Sequence, residues 1–269
     1  MLAVAVLPAL RAQPKQFRPP PNYVSGKPDQ AEGARILGEF RQAGIAGTYW
    51  LAFELQVLPR HGAERTVHGD MLGTRGGQGP LTRLNIEGQR WLIQGGPQPA
   101  TWSGVGTAAP HGLTAAETMQ PVAGTDLTIF DLQMPFLQWT DFVYEGLARI
   151  RGRPAHSFVL YPPADIIAAR PGLTGVRVLL DTQFQALVQA ELLGAKGATE
   201  KTISILDLKK VGEQWVVKSI DLRNNLTRDK TRFNVTAVAL DLALPAGVFL
   251  PESLADEPPV VPPEKIVRF

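Results

Sequence analysis

The chain has 269 residues, of which 44% are apolar and 19% charged, with a formal net charge of +2. That composition is ordinarily globular and long enough to bury a sizeable core, which excludes a chain disordered throughout. Lys and Arg are scattered with no basic stripe, which argues against nucleic acid as a partner, and the absence of cysteine excludes disulfides, thiolate metal sites, a Cys nucleophile and a lipid-modified Cys anchor.

The chain opens MLAVAVLPALRA, and the apolar Leu2–Leu10 followed by the small Ala12 reads as a secretory signal remnant over residues 1–12. No later stretch approaches the ~18 consecutive apolar residues of a membrane span, so the expected product is exported, soluble and unanchored. Residues 13–28 are rich in proline and read as a linker. In Asp29–Gln42, Ala31, Ala34, Ile36, Leu37 and Phe40 recur at helical spacing, with Asp29 placed to cap the first turn. Ile45–Leu58 predicts a strand. Its Tyr49, Leu51, Phe53, Leu55 and Val57 share one face, and Trp50, Ala52, Glu54, Gln56 and Leu58 share the other. Thr66–Leu72 and Leu81–Ile86 are shorter predicted strands around a glycine-rich turn, Gly73–Pro80, and Gly88 supplies a hairpin turn into Arg90–Gln94.

Gly95–Gly124 has little periodicity and reads as a long loop with one helical turn at Thr114–Met119. Leu127–Trp139 is apolar, and Pro135 limits any helix there to a short one or to one that starts at that residue. Phe142–Ile150 and His156–Tyr161 predict a hairpin across Arg151–Pro154, and Pro162–Gly175 is a connection. Then Val176–Leu193, Lys201–Lys210, Gln214–Arg223 and Thr231–Leu244 alternate apolar and polar residues with period two. Turns fall at Gly194–Gly197, Gly212–Glu213 and Asn224–Asp229, so these pieces predict an antiparallel meander with one buried face. The organisation is one domain over 29–254 and a Pro-rich tail over 255–269, with no internal repeat.

Candidate chemistry is sparse. His61 and His68 stand seven residues apart, which puts them on opposite faces of a continuous strand. With Asp70, His111 and His156 they therefore read as surface or turn residues rather than metal ligands. Asp126 and Asp131, followed by Asp141 and Glu145, suggest helix capping before an acid pair. The Gly73–Gly79 run, GTRGGQG, lacks the Lys-Ser/Thr ending of a phosphate loop and precedes a strand. No G-x-S-x-G elbow is present, which disfavours an exported hydrolase.

Several segments together resemble a known family. They are Gly124–Leu127 with Asp131-Leu132, Arg149–Ala155 (RIRGRPA), Leu208–Val217 (LKKVGEQWVV), and a strand led by Lys230-Thr231 with its continuation to Phe249 and Leu254. The pattern resembles the outer-membrane lipoprotein-sorting superfamily, the LolA/LolB-like proteins, in its branch of uncharacterised bacterial envelope members, over residues 29–254. The resemblance implies a mainly β (α+β) fold: a strongly curved antiparallel sheet forming an incomplete barrel, covered on its concave face by short helices. It implies a periplasmic, non-enzymatic carrier with no catalytic residues, no metal and no cofactor. Its ligands would be acyl chains of lipoproteins or lipids. An outer-membrane receptor or an inner-membrane complex would be a further partner, and the carrier itself a monomer. The residues placed to line its cavity are Tyr49, Leu51, Phe53, Leu55, Val57, Trp91, Phe130, Met134, Phe136 and Trp139. The same residues suit a filled core, so the competing expectation is a β-rich envelope structural or protein-binding module.

Overall fold

The computed structural model describes residues 23–25, 28–105, 109–184 and 186–269. The signal read over 1–12 lies outside these residues, as does most of the 13–28 linker. Within that linker stretch, Tyr23–Ser25 forms a short strand, β1, paired with a later strand near Leu147 and Ala148.

Asp29 starts the first helix by accepting hydrogen bonds from the Ala31 and Glu32 amides, and α1 runs Gln30–Gln42. Its apolar stripe buries Ile36 and Leu37. Gly33 faces Tyr144 so closely that an added Cβ would lie 2.5 Å from the Tyr144 Cβ, so the close seating of the helix depends on glycine.

The strands of the first half are β2 (Tyr49–Leu58), β3 (Arg65–Gly76), β4 (Gly79–Ile86), β5 (Gln89–Gln94), β6 (Ala100–Val105) and β7 (His111–Gly112). Two short helices follow, α2 (Ala115–Thr118) and α3 (Ile129–Gln133), and Pro135–Gln138 adds a 3-10 turn. The second half contributes β8 (Phe142–Ile150), β9 (Arg153–Leu160), α4 (Ala164–Ala169), β10 (Gly175–Asp181), β11 (Leu187–Leu193), β12 (Thr199–Val211), β13 (Gln214–Asn224) and β14 (Lys230–Ala239). A final two-residue strand, β15, is Val267–Arg268.

These strands form one antiparallel sheet. Its order is β1-β8-β9-β10-β11-β12-β13-β14-β2-β3-β4-β5-β6-β7, and β15 pairs with β14. The join between the halves is β14 against β2, in register from Lys230 opposite Leu58 to Ala239 opposite Trp50. The two ends, β1 and β7, do not pair, so the sheet curves without closing into a barrel. Its concave face carries Leu51, Phe53 and Leu55 of β2, Leu84 and Ile86 of β4, Val176 and Val178 of β10, and Phe233 and Val235 of β14 in a single apolar cluster. α1 adds Ile36 and Leu37 to that cluster, and the α3 region adds Ile129, Phe130, Phe136 and Trp139, so short helical pieces cover the concave side.

Several predicted boundaries shift. The glycine-rich stretch between β3 and β4 is mostly strand, and only Gly77 and Gln78 make the turn. The loop read over Gly95–Gly124 contains β6 and β7, whose short small-residue sequences carry no clear alternation. Val176–Leu193 is two strands, because the Asp181 carboxylate accepts from the Gln183 and Phe184 amides and turns the chain there. β14 ends at Ala239, and the following segment leaves the meander. It folds over the outer face, where Leu242, Phe249 and Leu254 bury against Leu72, Leu92 and Ala239. Arg83 and Arg90 hold it by donating to carbonyls between Leu254 and Asp256.

Candidate functional site

Between the floor of the sheet and its cover lies a small apolar cavity of about 30 Å³. β2, β12, β13 and β14 supply the floor through Leu55, Ile203, Ile220, Leu222, Thr231 and Phe233. Leu127, Asp131, Leu132 and Met134 form the roof. Period-two alternation explains the floor, since every inward position of these strands points to the same side. The roof is different: it belongs to one short helix and its flanks.

That helix is fixed by a reciprocal cap. The Asp131 amide donates to Thr128 Oγ1 at 3.1 Å, while Asp131 Oδ2 accepts from the Thr128 amide at 2.9 Å and from the Thr128 hydroxyl at 2.8 Å. The same Oδ2 accepts from Lys201 Nζ at 2.7 Å, and Lys201 also donates to the Asp126 carbonyl at 2.9 Å. Asp131 is 2% exposed and Lys201 9%, so this ion pair joins the roof to the floor inside the protein. Two further contacts complete the seam. Asn224 Nδ2 donates to Asp126 Oδ1 at 2.9 Å, and the Asp126 amide donates to Thr231 Oγ1 at 3.3 Å. Asp131 Oδ1, in contrast, is buried with no hydrogen-bond partner among the described residues.

The rest of the roof is pinned more lightly. Arg41 of α1 donates to the carbonyls of Leu137 and Trp139 at 2.6 and 2.9 Å. Gln133 donates to the carbonyls of Gln94 and Ala100 at 2.8 and 3.2 Å. Met134 lies between the two pins in a left-handed conformation, φ 48° and ψ 50°. For a side chain with a Cβ that geometry costs on the order of 1 kcal/mol and persists only where the surroundings enforce it.

The residues placed in the cavity from sequence fall in one region. Leu51, Phe53, Leu55, Val57, Trp91, Phe130, Phe136 and Trp139 are buried in the concave cluster, while Tyr49 and Met134 are partly buried against it. Leu55 and Met134 touch the cavity itself. Phe53 stacks on Phe233 with ring centroids 4.4 Å apart, and Phe130, Phe136 and Trp139 pack edge to face or tilted at 5.9 to 6.4 Å. Lys201 was not anticipated, although its sequence signal exists: it occupies the inward phase of β12 two residues before Ile203. Asp131 was read as a cap, which it is, and its second role as partner of Lys201 spans 70 residues of sequence.

The other candidates separate in space. His68 is exposed on β3 opposite Glu54, and Asp70 accepts from Trp50 Nε1 and Asn85 Nδ2. Glu145 accepts from the Ser157 hydroxyl at 2.7 Å and pairs with Arg177 at 3.1 Å, in a buried polar cluster on strands β8 to β10. Among the described residues no group of three His, Asp or Glu side chains is arranged to hold a metal, and no helix is long and apolar enough to cross a membrane.

Solved structures share this architecture. A DUF1329 family protein from Desulfovibrio piger superposes with a TM-score of 0.72 at 12% identity, covering 83% of this chain and 98% of its own. A putative outer membrane lipoprotein-sorting protein domain from Vibrio parahaemolyticus gives 0.71 at 16% identity, covering 83% and 97%. A LolA superfamily protein from Nitrosomonas europaea gives 0.62 at 14% identity, covering 81% and 96%. At these identities the likeness is one of fold, and the fold is LolA-like. Among curated proteins there is no sequence match. Residues 107–256, more than half of the chain and the part that holds the roof, Lys201 and the meander, match a family described as "Uncharacterized protein". The chain therefore belongs to that family of uncharacterized proteins, on a LolA-like sheet.

Proposed function

We propose that this protein is a non-enzymatic carrier of acyl chains, exported to the periplasm, where it takes lipid or lipoprotein chains into the concave side of its sheet. One observation carries the reading: an apolar cavity lies between an unclosed sheet and a short helical roof that one buried ion pair fixes at α3 and side-chain bonds to backbone carbonyls hold elsewhere. Pockets that enclose a small-molecule ligand span ~300–1,000 Å³, so a cavity of about 30 Å³ admits a chain only when the roof yields. Each buried CH₂ of a guest contributes roughly 0.8 kcal/mol, which offsets the loss of packing among Phe130, Phe136 and Trp139 as they move aside. Since the gain is symmetrical, release needs a partner with a better cavity, such as an outer-membrane receptor. Loading would need an inner-membrane source.

The filled interior favours a second reading, a β-rich envelope module that binds protein or serves structure and holds no ligand. Native mass spectrometry with lipid extraction, on protein purified from an envelope fraction, separates the two. Phe53 is a poor probe because it is 2% exposed and stacked, so a charge there would unfold the protein. Met134, partly exposed in the roof, is the better position. The carrier reading expects co-purified acyl cargo in the wild type and its loss in Met134→Glu. A clean mass that stays clean when lipids and acylated peptides are supplied would leave the module reading standing.

A further inference from the structure

The sheet splits beyond Ser219. β13 and β14 pair from Arg223 opposite Lys230 to Ser219 opposite Asn234. From there residues 214–217 of β13 follow β12 as the arm of a hairpin, while β14 stays on β2 as far as Ala239. The edge of β14 that β13 leaves is taken by the tail. Arg268 lies opposite Ala237, Val267 lies opposite Val238, and the Phe269 amide donates to the Thr236 carbonyl at 2.9 Å. The tail also changes sides there: Val261 and Ile266 pack on the outer cluster around Leu72 and Ala239, whereas Phe269 packs on the concave cluster. Lys209 of β12 covers the Phe269 ring, its Nζ 4.8 Å from the centroid. The split is therefore a slot with a strand edge on one wall, a cation on the other and a seat for one aromatic ring.

The sheet builds this slot, and the tail's hold on it is slight. β15 has two residues, and Val267 is 44% exposed. The tether behind it runs through Pro258, Pro259, Pro262 and Pro263, with Val260 89% exposed. Lys265 adds one side-chain bond, from Nζ to the Asp241 carbonyl at 2.7 Å. A vacated slot would leave N–H and C=O groups of the β14 edge unpaired, and such an edge recruits another strand. We infer that the slot between β13 and β14 is a strand-accepting site for an extended segment of another polypeptide, one with an apolar residue followed two positions later by an aromatic, and that residues 267–269 are its resident and displaceable occupant. The pattern is the resident's own, since Val267 and Phe269 fall on the same face of the strand. Main-chain pairing supplies the hold, and the ring seat under Lys209 supplies the selection. The tethered tail competes at an effective concentration of about millimolar, so it excludes weak segments and yields to strong ones. None of this depends on a guest on the concave side.

The test uses the labelled peptide KIVRF, the sequence of residues 265–269, and reads its fluorescence anisotropy on the full-length protein. Phe269→Ala, whose own tail lacks the ring, is expected to bind the peptide at least about tenfold more tightly than the wild type does. KIVRA, and KIVRF methylated on the Phe nitrogen so that it cannot donate to the Thr236 carbonyl, are each expected to bind that variant about tenfold more weakly than KIVRF. Adding Lys209→Met to the variant is expected to weaken KIVRF about threefold, the size of one cation–π contact. In the wild type, the Phe269 amide is expected to exchange its hydrogen at least about a hundredfold faster than the amides that join β2 to β14. Absence of KIVRF binding to folded Phe269→Ala, or equal binding of the three peptides, overturns the inference. So does a Phe269 amide protected as well as the β2–β14 ladder, which would make the tail a permanent strand. That exchange measurement decides alone if Phe269→Ala does not fold. A dimer of the full chain that Phe269→Ala dissolves would give the slot to a second copy's tail and overturn the foreign segment.

Discussion

His156 on β9 shows how one residue couples pH to the fold. Its Nδ1 lies 2.8 Å from the Tyr144 hydroxyl, and Glu32 and Arg35 of α1 act on it from the neighbouring helix. Burial lowers its pKa below 6.5, Glu32 opposes that shift and Arg35 adds to it. The folded protein therefore binds this proton less readily than the unfolded chain, so stability rises with pH across the interval. This contribution is complete above pH 6.5 and diminishes as the pH falls from there toward the depressed folded value. Chemical denaturation at a series of pH values is expected to show a midpoint that falls below pH 6.5, and His156→Gln is expected to reduce that fall. An unchanged slope in the variant would mean that the titration belongs to other groups. The sequence hid this residue well, because a histidine in a strand carries no mark of whether a tyrosine will meet it across the hairpin. Gly33 was hidden for a similar reason: only the facing Tyr144 reveals why a glycine occupies a helix interior.

In the proposed carrier the roof is the element on which exchange depends, and its attachments are unequal. At the α3 end, the Lys201–Asp131 pair is buried, and breaking one side of such a pair costs about 3–5 kcal/mol. At the Leu137–Trp139 end, Arg41 supplies two hydrogen bonds to carbonyls from a partly buried position. The roof should therefore open first at the Arg41 end, release the Gln133 bonds to Gln94 and Ala100 next, and stay attached at Asp131. Arg41→Ala is expected to lower global stability by about 1–3 kcal/mol. Its more telling effect is local: faster amide exchange at Leu137 and Trp139, whose own amides bond within the turn, with little change at α3. Uniform acceleration across both ends would argue against a hinge. Element by element, β2 and most of β14 were legible because burial alternates along each, while β12 and β13 alternate only in part and shift register near Asp207. β6 and β7 were not, since their small and polar residues are fixed by pairing to β5 and to each other. The roof was legible as short helical turns ended by Pro135, but its pins to distant carbonyls were beyond what one sequence can display.

At the scale of the whole molecule, the open sheet and the filled interior make opposing demands. A closed barrel would protect its edges but fix its volume, whereas a sheet that ends at β1 and β7 can change curvature when the roof lifts. The outer face is braced meanwhile: Phe249 and Leu254 bury against β3 and β5, and Arg83 and Arg90 clamp the crossing segment. In the proposed carrier, that bracing would leave the concave side, where the cavity and the roof lie, as the face that deforms. This division yields a decisive test, and the chain's lack of cysteine makes it practicable, because introduced thiols have no competitors. Gln133 in the roof contacts the Gln94 carbonyl of β5, so Gln94→Cys with Gln133→Cys can be joined by a short bismaleimide. The unlinked double variant loses the Gln133 pin and is expected to take up a fluorescent acyl chain faster than the wild type. The linked form is expected to be slower than either, while its melting temperature is maintained or raised. Equal uptake by linked and unlinked protein would mean that guests reach the concave face without lifting the roof at Gln133. Entry between β1 and β7, which do not pair among the described residues, would then be the route to test.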